Sequence, residues 1–255
     1  MQLLGHATLG TGAERVLVLN DWLCDTSTWD GARSYLDTTR FTFAFVDLRG
    51  YGRSRSHPGE HTAREATSDV LAVADALGWS RFAIVGHSMS TLIAIDLAQH
   101  HADRVTRVVL ITPPPPHGFG ADDAYVAAAR GPVLAGDAAR TRMLIERFGE
   151  RLSPGWGRYK AQRWVETADA DAAAGYLAMF ARDGIPDRTT TIAAPVLAIT
   201  GEVDAGAMRA ETAREKLAPL CPSLTVVELA ACGHYPMQEM PPLTVAHLER
   251  FLTAG

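Results

Sequence analysis

Short runs of β-branched, leucine and phenylalanine residues recur along the chain: RVLVL (15–19), FTFAFV (41–46), RFAIV (81–85), VTRVVLI (105–111), PVLAIT (195–200) and LTVVEL (224–229). Several are almost continuously apolar rather than alternating, which is the pattern of a strand covered on both faces. Between them the apolar spacing changes to three and four. Over 62–78, Ala66, Val70, Val73 and Leu77 make one stripe closed by Gly78, which predicts an amphipathic helix. Strand and helix therefore alternate, and the expected class is α/β, a mostly parallel sheet flanked by helices.

The alternation breaks once. After Ile111 comes TPPPPHGFG, then about 65 residues of Ala-rich, helix-like sequence before the next strand run. Four consecutive prolines cannot continue a helix or join a sheet interior, so they read as a stiff spacer. The predicted organisation is a core made of 1–112 and 187–255, with a helical segment, 113–186, inserted in it. Four helices are expected there, roughly 121–130, 138–149, 158–168 and 171–182. They carry Met143, Leu144, Phe148, Trp164, Tyr176, Met179 and Phe180, with Trp156 just before the third.

A length of 255 residues with 47% hydrophobic side chains suits one globular unit with an insertion. The net charge of −5 comes without any block of like charges, which argues against a nucleic-acid surface and for a small neutral or weakly charged partner. No apolar run reaches the roughly 18 residues of a membrane span, and MQLLGHATLG lacks the basic start of a signal peptide, so the expected compartment is the cytoplasm. Cys24, Cys221 and Cys232 form neither an even set nor a metal-ligand spacing and are expected to be free thiols.

Candidate chemistry begins at Gly86-His87-Ser88-Met89-Ser90, between a strand run and a helix whose face is Leu92, Ile95 and Ala98. In that setting G-x-S-x-G is a nucleophile elbow, in which small residues on either side let the chain turn sharply and expose the serine. Here the last glycine is Ser90, the next smallest choice. A serine that merely caps the helix would give part of the same pattern.

A neutral hydroxyl attacks poorly, so a nucleophilic Ser88 needs a base and a group to orient that base. His234, in the loop between the last strand and the terminal helix, is placed to be the base. The preceding strand ends in GEVD, which offers Glu202 and Asp204. Asp204 is the expected acid because the orienting carboxylate should sit just past the strand. The alternative position after Ile111 holds only Thr112 and prolines before Asp122. The other eight histidines are expected in surface or packing roles, with His87 pointing away from Ser88.

In this order the chain resembles a lidded, single-domain α/β-hydrolase over nearly its whole length. VLVLNDWLCDTSTW is similar to the oxyanion loop, VDLRGYGRS to the loop after the next strand, VGHSMS to the elbow, VLAITGEVD to the acid strand and CGHYPMQEMP to the histidine loop. The resemblance implies an oxyanion hole made by the backbone N–H groups of Trp22 and Met89, and a helical lid with an apolar pocket over Ser88. It implies no metal or organic cofactor. Family members usually carry His-Gly where this chain has Asn20-Asp21; Asp21 is expected to point to solvent or to cap the following helix. The pairing of GHSMS with CDTSTW looks like the branch of small-signal receptors and stress regulators, whereas esterases and lactonases more often end the elbow in glycine. The expected activity is hydrolysis of a small ester, lactone or related carbonyl compound with an apolar body. A receptor with slow or no turnover and a cofactor-independent dioxygenase are the alternatives. The oligomeric state is open.

Overall fold

The six apolar runs fold as strands β2 (Glu14–Leu19), β3 (Phe41–Val46), β4 (Phe82–His87), β5 (Val105–Ile111), β6 (Val196–Gly201) and β7 (Leu224–Leu229), preceded by a short strand, β1 (His6–Leu9). The computed structural model describes residues 2–254 apart from 137, 140 and 143–151. The strands form one sheet in the order β1-β3-β2-β4-β5-β6-β7, and every neighbouring pair except antiparallel β1–β3 is parallel. β1 is a four-residue edge strand, too short to show a period in the sequence.

Near-continuous apolarity has its expected cause: alternate residues of each strand feed two different cores. Leu17 and Leu19 of β2, Ile84 of β4 and Leu110 of β5 join one core, whereas Val16 and Val18, Val85 and Ile111 join the other. The first core also takes the stripe Ala66, Val70 and Val73 of helix α2 (Ala63–Ala76) and most of helix α3 (Ser90–His100). The second takes Trp29, Ala32 of the short helix α1 (Asp30–Arg33), and Leu248. Thr62 caps α2 by accepting the Glu65 N–H, and Gly78, at φ +70°, follows its end, so both predicted boundaries hold.

Between β5 and β6 the chain forms α4 (Asp123–Leu134), α5 (Pro154–Thr167) and α6 (Ala170–Ala178), which runs on into a π-helical turn, Met179–Asp183. The helix expected over 138–149, with Met143, Leu144 and Phe148, lies mostly outside the described residues. Residues 113–115 are neither helix nor strand. The two ends of the insertion are pinned together, because the Ile185 N–H donates to the Pro116 carbonyl at 2.7 Å and the Phe119 N–H to that of Ala181 at 2.9 Å. Helices α7 (Ala210–Leu217), α8 (Pro236–Glu239) and α9 (Pro241–Thr253) complete the chain. No described helix is long and apolar enough to cross a membrane.

The strand order has one consequence for function. From β2 the chain winds outward to β3, then returns to lay β4 on the other side of β2. The crevice beyond the carboxyl ends of β2 and β4 is thus a topological switch point, where open α/β sheets bind ligands. Residues 20–24 and Ser88 follow directly from those two ends.

Candidate active site

Ser88 leaves β4 in the left-handed backbone region, at φ +52°. That conformation costs a non-glycine residue about 1–2 kcal/mol and persists only where surrounding bonds impose it. Here the Ser88 N–H donates to the Ile111 carbonyl at 2.8 Å, and the Thr91 hydroxyl donates to the Ser88 carbonyl at 2.6 Å. Gly86 is required, since a Cβ there would stand 2.6 Å from the Ser90 carbonyl oxygen. Ser90 has a use that glycine could not fill. Its buried hydroxyl accepts the His87 N–H at 2.9 Å and donates to the His87 carbonyl at 3.0 Å, closing the turn from inside. Leu23 and Thr112, in the segments that follow β2 and β5, also have positive φ, as do His61 and Ala231 elsewhere in the chain.

The structure brings the three predicted side chains together. His234 Nε2 lies 2.9 Å from Ser88 Oγ, and its Nδ1 lies 2.8 Å from Asp204 Oδ2. A carboxylate oxygen can only accept, so the hydrogen belongs on Nδ1, and Nε2 presents its lone pair to the serine hydroxyl. Asp204 and His234 are both buried. The other Asp204 oxygen accepts the Ala205 N–H at 2.7 Å, which fixes the carboxylate plane. Glu202 faces elsewhere: its Oε2 accepts the Ala231 N–H at 2.7 Å, at the exposed turn leading into the histidine loop.

Two contributors to this geometry escape a reading of the sequence. Glu239 of α8 accepts the Gly233 N–H at 2.7 Å with one oxygen and the Tyr235 N–H at 3.0 Å with the other, clamping the residues on both sides of His234. His87, expected only to pack, is fully buried, and its Nε2–H donates to the His234 carbonyl at 2.7 Å. It holds the His234 backbone from behind. A glutamate five residues after the histidine was the available signal, but nothing in the spacing says that it turns back.

Asp21 corrects an expectation. It neither reaches solvent nor caps a helix: it is 1% exposed and lines the cavity above Ser88, while Asp25 takes the capping role by accepting the Ser27 N–H at 3.1 Å. The reason is Asn20, whose side-chain amide donates to the carbonyls of Asp21, at 3.2 Å, and of Cys24. This folds the loop back on itself, with Leu23 at φ +70°, and turns Asp21 inward. Burial alone would raise its pKa, but His87, then Lys160 and His234, outweigh it and hold the carboxyl well below its usual range. Lys160, itself buried, donates to Cys24 Sγ at 2.9 Å and lies 4.2 Å from the Tyr235 ring centre. Burial, then the charge of Asp21, pushes the Cys24 thiol up to about 12, so at neutral pH the pair is an ammonium donating to a thiol.

The cavity over Ser88 holds about 420 Å³. Trp22, Phe119, Leu177, Phe180 and Met208 give it largely apolar walls, and Asp21, Ser88, His234, Tyr125 and Tyr235 are its polar side chains. The Trp22 indole N–H donates to the Ala173 carbonyl at 2.7 Å, and its ring meets Phe180 edge-on at 5.3 Å, so the first loop and the inserted helices share one wall. Among the described residues the Met89 and Trp22 backbone N–H groups, beside Ser88 and Asp21, have no protein acceptor. No described group of three or more His, Cys, Asp or Glu side chains is arranged to hold a metal ion.

A sequence profile of the alpha/beta hydrolase family matches residues 16–248, which span β3 to β7 and most of β2. The chain belongs to that family. Among solved structures of its kin, the enol-lactonase from Burkholderia xenovorans LB400 is 27% identical and superposes with a TM-score of 0.84, covering 98% of this chain and 96% of that one. The bromoperoxidase from Bacillus anthracis, at 19% identity and a TM-score of 0.86, covers 98% and 95% and speaks for the fold alone. The pimeloyl-[acyl-carrier protein] methyl ester esterase of Serratia marcescens is 28% identical over 152 residues, 60% of this chain and 56% of the esterase. Three further curated relatives are matched over only 31% to 38% of their own length.

Proposed function

We propose that this alpha/beta hydrolase is a serine esterase or lactonase acting on a small carbonyl compound with an apolar body. The observation that carries the reading is the continuous Asp204–His234–Ser88 hydrogen-bond line, with links of 2.8 and 2.9 Å, opening into an apolar cavity. His234 takes the Ser88 proton as Oγ attacks the carbonyl carbon, and Asp204 keeps the imidazole in the required tautomer and stabilises the imidazolium. The Met89 and Trp22 amides receive the oxyanion, each such donor being worth about 10² to 10³ in rate. His234 then returns the proton to the leaving alcohol. Water, deprotonated by His234, resolves the acyl-enzyme. Asp21 lies near the oxyanion site, and the buried Lys160 ammonium offsets its charge. Residues 113–186 act as a lid whose helices wall the acyl or alcohol pocket. The names of the Burkholderia and Serratia relatives support ester chemistry of this kind.

Hydrolysis of a short p-nitrophenyl ester tests the reading. The wild type is expected to turn the ester over, and Ser88→Ala to lower kcat by about 10⁴ or more at unchanged fold. A wild type inert to a panel of esters and lactones and to a fluorophosphonate contradicts hydrolysis and leaves the pocket to a receptor.

A further inference from the structure

Hydrolysis of a purely apolar ester leaves one group of the pocket unused. The Asp21 carboxylate lines the cavity at 1% exposure, yet its sole hydrogen bond among the described residues is a long one, 3.5 Å from the Thr28 hydroxyl. The His87 ring nitrogen stands off at 3.6 Å, beyond hydrogen-bond length. A carboxylate has about four acceptor sites, and a buried one short of donors is costly. Among the described residues no wall group makes up the shortfall: the Trp22 indole N–H is committed to Ala173, no lining residue is a lysine or arginine, and neither lining tyrosine, Tyr125 or Tyr235, donates to Asp21.

We propose that Asp21 determines specificity in this pocket: it accepts a hydrogen bond from a hydroxyl or ammonium group carried close to the substrate carbonyl, and it rejects substrates that carry a carboxylate there. Closeness follows from the chain, since Asp21 immediately precedes Trp22, whose amide is placed to face the carbonyl oxygen. The chemistry of the substrate rests on the serine-hydrolase reading; the recognition does not.

Two arms of one experiment keep those readings apart. In the first, kcat/KM is measured for p-nitrophenyl esters of butyrate, β-hydroxybutyrate, β-aminobutyrate and glutarate (the monoester), with wild type and Asp21→Ala, which removes the acceptor as well as the charge. The wild type is expected to favour the hydroxy or amino ester over butyrate about tenfold or more, and to disfavour the glutarate ester about a hundredfold, with both ratios collapsing toward one in the variant. Preference for the amino ester alone identifies a cation as the partner; equal preference identifies any donor.

In the second arm, Ser88→Ala and Ser88→Ala/Asp21→Ala proteins are titrated by ligand-observed NMR with methyl isobutyl ketone, diacetone alcohol, diacetone amine and levulinate. Binding of a donor-bearing ketone tighter than its apolar match, only where Asp21 is present, supports the assignment even if no ester is turned over, an outcome that would count against hydrolysis instead. The same order of affinities with and without Asp21 overturns the assignment, whatever the turnover. Asp21→Gly serves as the second acceptor-free variant if the alanine protein does not fold.

Discussion

Two carboxylates two residues apart follow β6, and only their surroundings separate their roles. Asp204 is buried against His234, whereas Glu202 serves the Ala231 amide. Asp204→Asn is therefore expected to reduce kcat for ester hydrolysis by about 10⁴, because the amide favours the wrong imidazole tautomer, whereas Glu202→Gln changes it less than about threefold. Steady-state kinetics of the two variants decide this; the reverse ranking would assign the acid to Glu202. Ser90 allows a second expectation. Ser90→Ala removes both hydroxyl bonds to the His87 backbone and should lower stability by about 1–3 kcal/mol in a denaturant melt. At this scale the sequence was informative wherever a local constraint acts. Gly86 and the turn at Ser88 follow from steric demands that act within five residues, whereas the order Ser88, Asp204, His234 was legible only through the resemblance of the whole chain to its fold. The inward Asp21, the Glu239 clamp and the His87 support depend on contacts between distant segments, to which spacing along the chain is blind.

Among the elements, the strands were legible because burial on both faces imposes continuous apolarity, and α2 because one buried stripe imposes a period near four. β1 was not, since four edge residues carry no such signature. Helix α5 shows another limit. Its buried lysine reads as a polar position, yet Lys160 is held inside by Cys24 and the Tyr235 ring, while Arg163 pairs with Asp25 at 2.9 Å. These ties join α5 to the loop after β2, and the Trp22 indole ties the same loop to α6. Trp22→Phe keeps the ring contact with Phe180 and loses the bond to Ala173. The expected result is faster proteolysis within 154–183 and a raised KM, at a global stability loss of about 1 kcal/mol. Unchanged cleavage rates would show that the indole does not hold the wall.

Across the whole molecule, a topological switch at β2 and β4 gathers side chains from residues 21, 88, 204 and 234 into one crevice, and the insertion after β5 walls it. The interior also accounts for the thiols. Burial pushes Cys221 as well as Cys24 up to about 12, and Cys232 is fully buried, so native protein at pH 8 should show no fast-reacting thiol toward Ellman's reagent and three after denaturation. The central claim is that Ser88, activated by His234, is a nucleophile. Its most direct measurement is intact-mass and peptide analysis after treatment with a fluorophosphonate. A single phosphonyl adduct, mapped to Ser88, is expected to form quickly in wild type and at least about a hundredfold more slowly in His234→Ala. An unlabelled Ser88 in folded wild type, or labelling at the same rate without His234, would contradict the claim.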